Sequence, residues 1–589
     1  GAYEIAHEAL LVSWSTLQGW LQRGAVESGL RRRIERAAAE WERTGRAPDL
    51  LWGPRQLAET RSLDRETMAP HEVAFLATSR DAMVRRRMLG AGAMAILAIA
   101  AVIIGLTIRA RARRELESVI ATQVRAADAA YDDARRLAAQ RDDARTRAFA
   151  LFDAHRWAEG EDTWTEVESL AAREATQYRT SSGHIESALS LDPARASLRA
   201  RFADVMFERL LRAERDHRGD VVDELSGRLA VYDDGHYRAA LTARARVELD
   251  VSPASARVWS ERPGAAPALL GQAPLPPLEL EPGSLILSFE APGRLTTRLP
   301  MLLAHGETVR QRIVLPSAGA APPDMIYVPP GRFLFGSADG TDLRRGFLAT
   351  APMHEVRTDG YYIGRHEVTF GQWIEFLDDL PAEERRRRSP GVVNPQTSLQ
   401  LTEIGPRRWR LELMPTTRRY VAETGQRLHY EHRTRLADQD WTKFPVSAVS
   451  FEDATAFAAW LDRTGRVPGA RLCDEYEWER AARGADARTF PGGSKLGDAN
   501  IDVTYGRDTL AFGPDEVGSH PDSRSPVGAD DMAGNVWEWA RSVQDPERPV
   551  ARGGCWYIAE LSSRSVNREP GEPTQRHVHI GLRICATPR

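Results

Sequence analysis

The sequence predicts a multidomain chain: a helical N-terminal part with one transmembrane helix, then a small β-domain, then a larger domain mixing strands and helices. Three observations carry this. Residues 88–108, MLGAGAMAILAIAAVIIGLTI, run for 21 residues without a charge, enough at 1.5 Å per residue to cross about 30 Å of hydrocarbon. Near residue 244 the apolar period changes from three-and-four spacing to alternation, the change from helix to strand. Most of the 15 tryptophans lie beyond residue 360, where large aromatics fill a core that few regular elements can pack.

The chain has 589 residues, 28% of them charged, with a formal net charge of −4. Its length calls for several domains, and without a basic bias no nucleic-acid partner is expected. Cys473, Cys555 and Cys585 are too few for a disulfide framework. Cys473 and Cys585 read as small buried hydrophobes. The opening GAYEIAHEALLVSW has neither an initiator Met nor a signal peptide, so the chain is expected to begin inside a domain of something longer.

Residues 1–82 read as helices. Leu10, Leu11, Trp14, Leu17, Trp20 and Leu21 recur on one face, and a second amphipathic helix, RRRIERAAAEWERTGR, stops at Gly45. The span at 88–108 is flanked by Arg85, Arg86 and Arg87 on one side and Arg109, Arg111, Arg113 and Arg114 on the other. This balance leaves charge unable to orient it. Residues 109–180 have the mixed-charge composition of a helical stalk. Residues 181–240 hold a turn, LDP, before a helix whose face carries Leu198, Phe202, Val205, Phe207 and Leu210, either a spacer or one unit resembling a tetratricopeptide repeat. Alternating runs with Pro-Gly turns fill residues 244–316, and SAGAAPPD at 317–324 is a linker.

Several stretches resemble known families. IAHEALLVSWSTLQGWL, RRRIERAAAEWERTGRAPDLLWGPRQLAET and EVAFLATSRDAMVRRR resemble the end of a bacterial STAND-type signalling NTPase. The chain has no G-x-x-x-x-G-K-[ST], so no nucleotide is expected to bind it. Residues 244–316 resemble the extracytoplasmic β-sandwich called a PEGA domain.

From Met325 the motifs MIYVPPGRFLFGS, HEVRTDGYYIGRHEVTFGQWIEFL, FPVSAVSFEDATAFAAWL, RLCDEYEWERAARG, DMAGNVWEW and RGGCWY…RSVNR…HIGLRICA resemble the formylglycine-generating enzyme, or sulfatase-modifying factor, family. The resemblance implies a compact α+β fold related to C-type lectins over residues 325–589. In the enzyme, a G-G-S-[YW]-x-C-x-x-x-x-C sequence supplies two thiolates that bind Cu(I), a soft ion suited to sulfur. Carried onto Gly553-Gly554, the two slots fall on Ile558 and Ser563, and Cys555 stands in the serine position. No copper site is therefore expected, and Cys555 is the one weak catalytic candidate. The ligand cleft is expected to involve Trp556, Arg564, Asn567, Arg568, His577 and His579. Iron-using relatives carry H-x-x-x-H-x-E, which is absent here. His577 and His579 fall at i and i+2 on an expected strand and so on one face. They are either hydrogen-bonding histidines or, with Cys555, a metal site.

The resemblance also implies structural Ca²⁺, held by the side chains of Asp531 and Glu538 and the carbonyls of Gly534 and Val536. Glu538 could instead pair with an arginine. A second Ca²⁺ site would start at Asn500 and Ile501, with Asp508 or Asp515 as its acid. In the insertion 381–441, Arg385–Arg388 is either a solvated helix face or a site for an acidic or phosphorylated partner. Residues 401–413 read as a hairpin over the cleft.

This domain order resembles large bacterial signalling proteins with a cytoplasmic serine/threonine kinase or STAND ATPase. The expected setting is a single-pass protein of the cell (inner) membrane with its C-terminal part outside the cytoplasm. Its partners would be the lipid bilayer, a peptide or small-molecule ligand, and an upstream NTPase or kinase portion. The expected function is a ligand-binding sensor. The alternatives are an oxidoreductase with another active site and a structural display domain, and the missing thiol pair favours the sensor.

Overall fold

The computed structural model describes residues 15–588. The chain divides into two compact units, Gly1–Thr122 and Gln123–Arg589.

In the first unit, Ser15–Arg43 is one helix, where two had been expected; only single glycines interrupt the pattern, each costing about 1 kcal/mol and not enough to break it. It ends as expected, with Gly45 at φ +72°. Leu10, Leu11 and Trp14 of the expected apolar face lie outside the described residues, as do the side chains of Leu17, Trp20 and Leu21. Ile34, Ala38, Trp41, Trp52 and Phe75 form a small core.

Pro70–Asp153 is a single helix of 84 residues. It contains residues 88–108, where Met88, Leu89, Ile96, Leu97 and Ile103 are each more than half exposed. By length and composition this is a candidate membrane-spanning helix.

In the second unit the helical region differs from the expected stalk. The chain turns at residues 154–156, with His155 in the left-handed region, and Trp157–Leu191 packs on the preceding helix through Leu137, Ala144, Val167 and Leu170. Ala196–Arg215 and Gly219–Tyr232 complete a helical layer. Leu198, Phe202, Val205 and Leu210 are buried as expected, and Phe207 stacks on Tyr237 at 4.1 Å.

Residues 245–314 form two small sheets. Ala245–Ser252 lies between Leu278–Leu280 and Thr308–Val314, and a four-stranded sheet runs Ala268–Gln272, Arg257–Glu261, Gly283–Glu290, Thr297–Leu303. Val247, Val258, Leu287, Phe289, Leu299 and Ile313 make their shared core.

The C-terminal domain is built on two four-stranded sheets. One runs Ala470–Leu472, Ile584–Ala586, Tyr361–Gly364, Met325–Val328; the other runs Glu569–Pro570, Pro549–Arg552, Trp537–Arg541, Ile580–Leu582. Helices Phe370–Asp378, Phe451–Arg463 and Glu475–Arg483 start at Thr369, Ser450 and Asp474, whose side chains cap them in reciprocal pairs with Gln372, Asp453 and Glu477.

Cys473 and Cys585 are not the free apolar residues expected but a disulfide, with Cα atoms 4.9 Å apart. Pairing of Leu472 with Ile584 brings the two segments together. The arginine run lies on the short helix Ala382–Arg388. Arg385 pairs with Glu403, Arg387 with Glu384, and Arg388 with Glu384 and Asp453, the pattern of a salt-bridged solvated face.

Candidate functional site

The site begins where strand Pro549–Arg552 ends. Gly553 and Gly554 take φ +95° and +78°, and a Cβ on Gly554 would collide with Ser563. Glycine therefore lets the backbone lie directly on Ser563. Of the two positions expected to match the thiol slots, Ile558 lines a cleft of about 1120 Å³, and Ser563 is fully buried behind Gly554. Neither carries sulfur. Cys555 borders the cleft and is fully buried. Burial pushes its thiol up to about 12, although the N–H groups of Tyr557 and Ile558 favour the thiolate. At neutral pH it is a thiol, a poor nucleophile and metal ligand.

Of the six expected cleft residues, Asn567, His577 and His579 line it. Trp556 is buried and meets His579 edge-on at 4.5 Å. Arg564 turns to Asp339 at 3.1 Å. Arg568 faces inward: it is 2% exposed, its Nε lies 2.5 Å from Glu475, and it donates to the Ala349 carbonyl at 2.7 Å. It belongs to a buried network in which Arg552 joins Glu475 and Glu479, and Arg483 joins Glu479.

His577 and His579 precede strand Ile580–Leu582 rather than lying in it, yet both rings reach the cleft, 4.8 Å apart. Burial lowers the pKa of each, that of His579 to about 3 with help from His577, so both are neutral at physiological pH. His579 stacks on Tyr557 at 4.9 Å and 16°. Asn567 donates to the Ser562 carbonyl at 2.9 Å. Its Oδ1, and Nε2 of His579, are buried without a hydrogen-bond partner.

Sequence reasoning missed the walls. Trp537, Phe347 and Tyr557 give aromatic surface, while Asn394, Gln396, Thr416 and Thr417 come from the insertion. The insertion forms a four-stranded sheet, Gly391–Val393, Ser398–Gly405, Arg408–Met414, Tyr420–Glu423. The expected hairpin is its middle pair, but the cleft is walled by the turns at the opposite end. The only usable signal was the position of a long polar insertion before residue 441.

The expected cation loop is arranged differently. Glu538 accepts from Trp478 at 2.6 Å and pairs with Arg583 at 2.7 Å. Arg583 also donates to the carbonyls of Gly364, Arg365 and Asp530. Asp531 accepts from the Gly518 N–H, and burial raises its pKa to about 6. Neither carboxylate oxygen of the buried Glu367 has a hydrogen-bond partner, and Arg583 lies 3.9 Å away. At the second loop, Asn500 donates to the Gly513 carbonyl at 3.0 Å. The cation there is Arg433, which reaches Gly513, Ala511 and Asp515. Asp508 is half-exposed and pairs with His432. Arg583 thus holds Glu538 and Arg433 holds Asp515 where the expected cations would lie, while Asp531 is held by the Gly518 N–H. Among the described residues no three His, Cys, Asp or Glu are grouped to hold a metal ion.

Residues 311–588 match the family described as sulfatase-modifying factor enzyme 1-like domain, and residues 1–49 match that described as novel STAND NTPase 1. The C-terminal domain is therefore of the formylglycine-generating-enzyme type. Curated relatives share it, among them the following three. Hercynine oxygenase of Mycolicibacterium smegmatis is 30% identical over 288 residues, 44% of this chain and 60% of that protein. Serine/threonine-protein kinase Pkn1 of Chlamydia trachomatis is 27% identical over 283 residues, 45% of this chain and 38% of that protein. Inactive C-alpha-formylglycine-generating enzyme 2 of Mus musculus is 27% identical over 290 residues, 46% of this chain and 87% of that protein. The chain spans at most 66% of the hercynine oxygenases it matches.

Proposed function

We propose that the C-terminal domain is a ligand-binding sensor, anchored by residues 88–108 and lying outside the cytoplasm, which keeps the scaffold of a formylglycine-generating oxidase without its chemistry. The observation that carries this is the pair Ile558 and Ser563 at the positions where the resemblance puts the two thiols: neither residue can ligate Cu(I). Cys555 cannot stand in for a pair, being single and held protonated by burial. A relative named inactive supports the reading, as does a kinase relative for a signalling role. The Cys473–Cys585 disulfide supports the compartment, since disulfides persist in oxidising surroundings.

The purified chain, given Cu(I), O₂ and a Cys-x-Pro-x-Arg peptide, is expected to leave the cysteine unchanged by mass spectrometry. Formylglycine above a copper-free control would overturn the reading. With Ile558→Cys and Ser563→Cys together, Cu(I) binding should appear. An oxygenase reading could draw on the hercynine oxygenase relatives, but no observation in the cleft favours it over binding.

A further inference from the structure

We infer that the cleft takes a neutral oligosaccharide, hydrogen-bonded at its floor by Asn567 and His579 and laid by one ring face on Tyr557. This rests on reading the cleft as a binding site and names the class of its ligand.

The first argument is charge. Among the described lining residues, Glu569 is the single acid and there is no Lys or Arg. An anionic ligand would lose its hydration there without finding a counter-ion, and a cation would meet one carboxylate, the exposed Glu569. The second is the unpaired floor. Asn567 and His579 are 3% and 6% exposed, and Oδ1 of the first and Nε2 of the second have no partner. Buried polar groups are normally satisfied; both residues line the cleft but these two atoms lack exposed surface, so an occupant would reach them by a small turn of the side chains. A hydroxyl both donates and accepts, so it satisfies Asn567 Oδ1 and either tautomer of His579. A carboxylate offers no donor, and an ammonium offers no acceptor.

The third argument is shape. Tyr557 is 44% exposed and braced by its parallel stack on His579. It presents a rigid aromatic face to which the C–H face of a sugar ring is complementary. Around it stand the short amides and hydroxyls Asn394, Gln396, Thr397, Thr416, Thr417 and Gln575, groups that match equatorial hydroxyls. An extended peptide would draw its affinity from main-chain pairing with a strand edge. Of the two edge strands at the cleft, Glu569–Pro570 has a proline with no N–H to give, and Ile580–Leu582 brings only Ile580 to the lining.

The test is calorimetric titration of the full chain in phosphatidylcholine nanodiscs, which avoid sugar-based detergents. The probes are triacetylchitotriose and cellotriose, at low and high salt. Saturable binding of at least one is expected, unchanged by salt, weakened about tenfold in Tyr557→Ala and lost in Asn567→Ala. Tyr557→Ala should keep the parent's melting temperature because the ring is half outside. The inference is overturned if neither sugar binds, if affinity falls steeply with salt, or if Tyr557→Ala binds like the parent. Capture of a peptide from a random library, abolished by Asn567→Ala, with no sugar bound, would also overturn it while leaving the cleft as a binding site. Formylglycine production would instead sink the underlying reading.

Discussion

Asn567 and Arg568 are neighbours in sequence and opposite in duty. Arg568 turns into the network with Glu475, Glu479, Arg552 and Arg483, where each carboxylate oxygen has a partner: Glu475 takes Arg552, Arg568 and the Val543 N–H, and Glu479 takes Arg483, Arg552 and the Gly336 N–H. Asn567 turns to the cleft with an acceptor left over. Two regions of one fold, equally buried, thus treat their acceptors differently. Where they are paired, removing one should unfold the domain. Where they are unpaired, removing one should cost binding.

The sharpest way to break this contrast is Glu475→Ala. It strands Arg568 as a buried charge, takes one of the two carboxylates from Arg552, and should cost about 3–5 kcal/mol of stability, against about 1 kcal/mol for Asn567→Ala, which loses one hydrogen bond to Ser562. Urea midpoints of the two variants measure the difference. Equal costs would mean that the cleft floor is as structural as the network below it.

The next effect is the disulfide. It closes a separation of 112 residues, and its removal by reductant or by Cys473→Ser should destabilise the domain by about 2–4 kcal/mol. Protein recovered from cells under thiol-blocking conditions should carry Cys555 as its free thiol. Free thiols at all three positions would place the domain in a reducing compartment and refute the proposed orientation.

These features show where sequence reasoning reaches. The apolar helix through 88–108 was legible because it is one continuous run. The domain was legible from local motifs kept in order. The disulfide was not, since its partners meet through a strand pairing across 112 residues. An arginine partner for Glu538 was one of the open alternatives, but which arginine was not legible: Arg583 arrives from a later turn. Asn567 and Arg568 both looked like cleft residues because no local pattern says which way each faces.

A third test concerns the loop where Arg583 serves Glu538 while Glu367 and Asp531 are left short of positive charge. Burial raises the folded pKa of Asp531 to about 6 and that of Glu367 well above the ordinary carboxylate range. An acid whose folded pKa exceeds its unfolded value binds more protons when folded. Its penalty is therefore fully present above the folded pKa and relieved as pH falls toward the unfolded one. Lowering pH from 7 to 5 should raise the melting temperature, and Asp531→Asn with Glu367→Gln should flatten that dependence. The same pair bears on calcium. If Arg583 already fills the cation's place, Ca²⁺ should not change the melting curve at pH 7. A rise in the parent that Asp531→Asn with Glu367→Gln abolishes would show the loop still open to an ion.

The smallest expected effect separates binding from catalysis most directly. Cys555 sits at the cleft wall, fully buried, and accepts N–H groups from Tyr557 and Ile558. Serine is close in size and keeps an acceptor for those donors, so Cys555→Ser should cost less than about 1 kcal/mol. The thiol is protonated at neutral pH and takes no part in the pairing proposed for the floor, so titration with the trisaccharides should be unchanged. Alkylating reagent should label the parent slowly below pH 9, because the thiolate is scarce and sheltered. A catalytic sulfur behaves oppositely: it labels fast near neutrality, and its replacement abolishes function while sparing the fold. Should Cys555→Ser melt like the parent yet lose ligand binding or any turnover, the single cysteine would be a working group and the domain an enzyme with a one-thiol site.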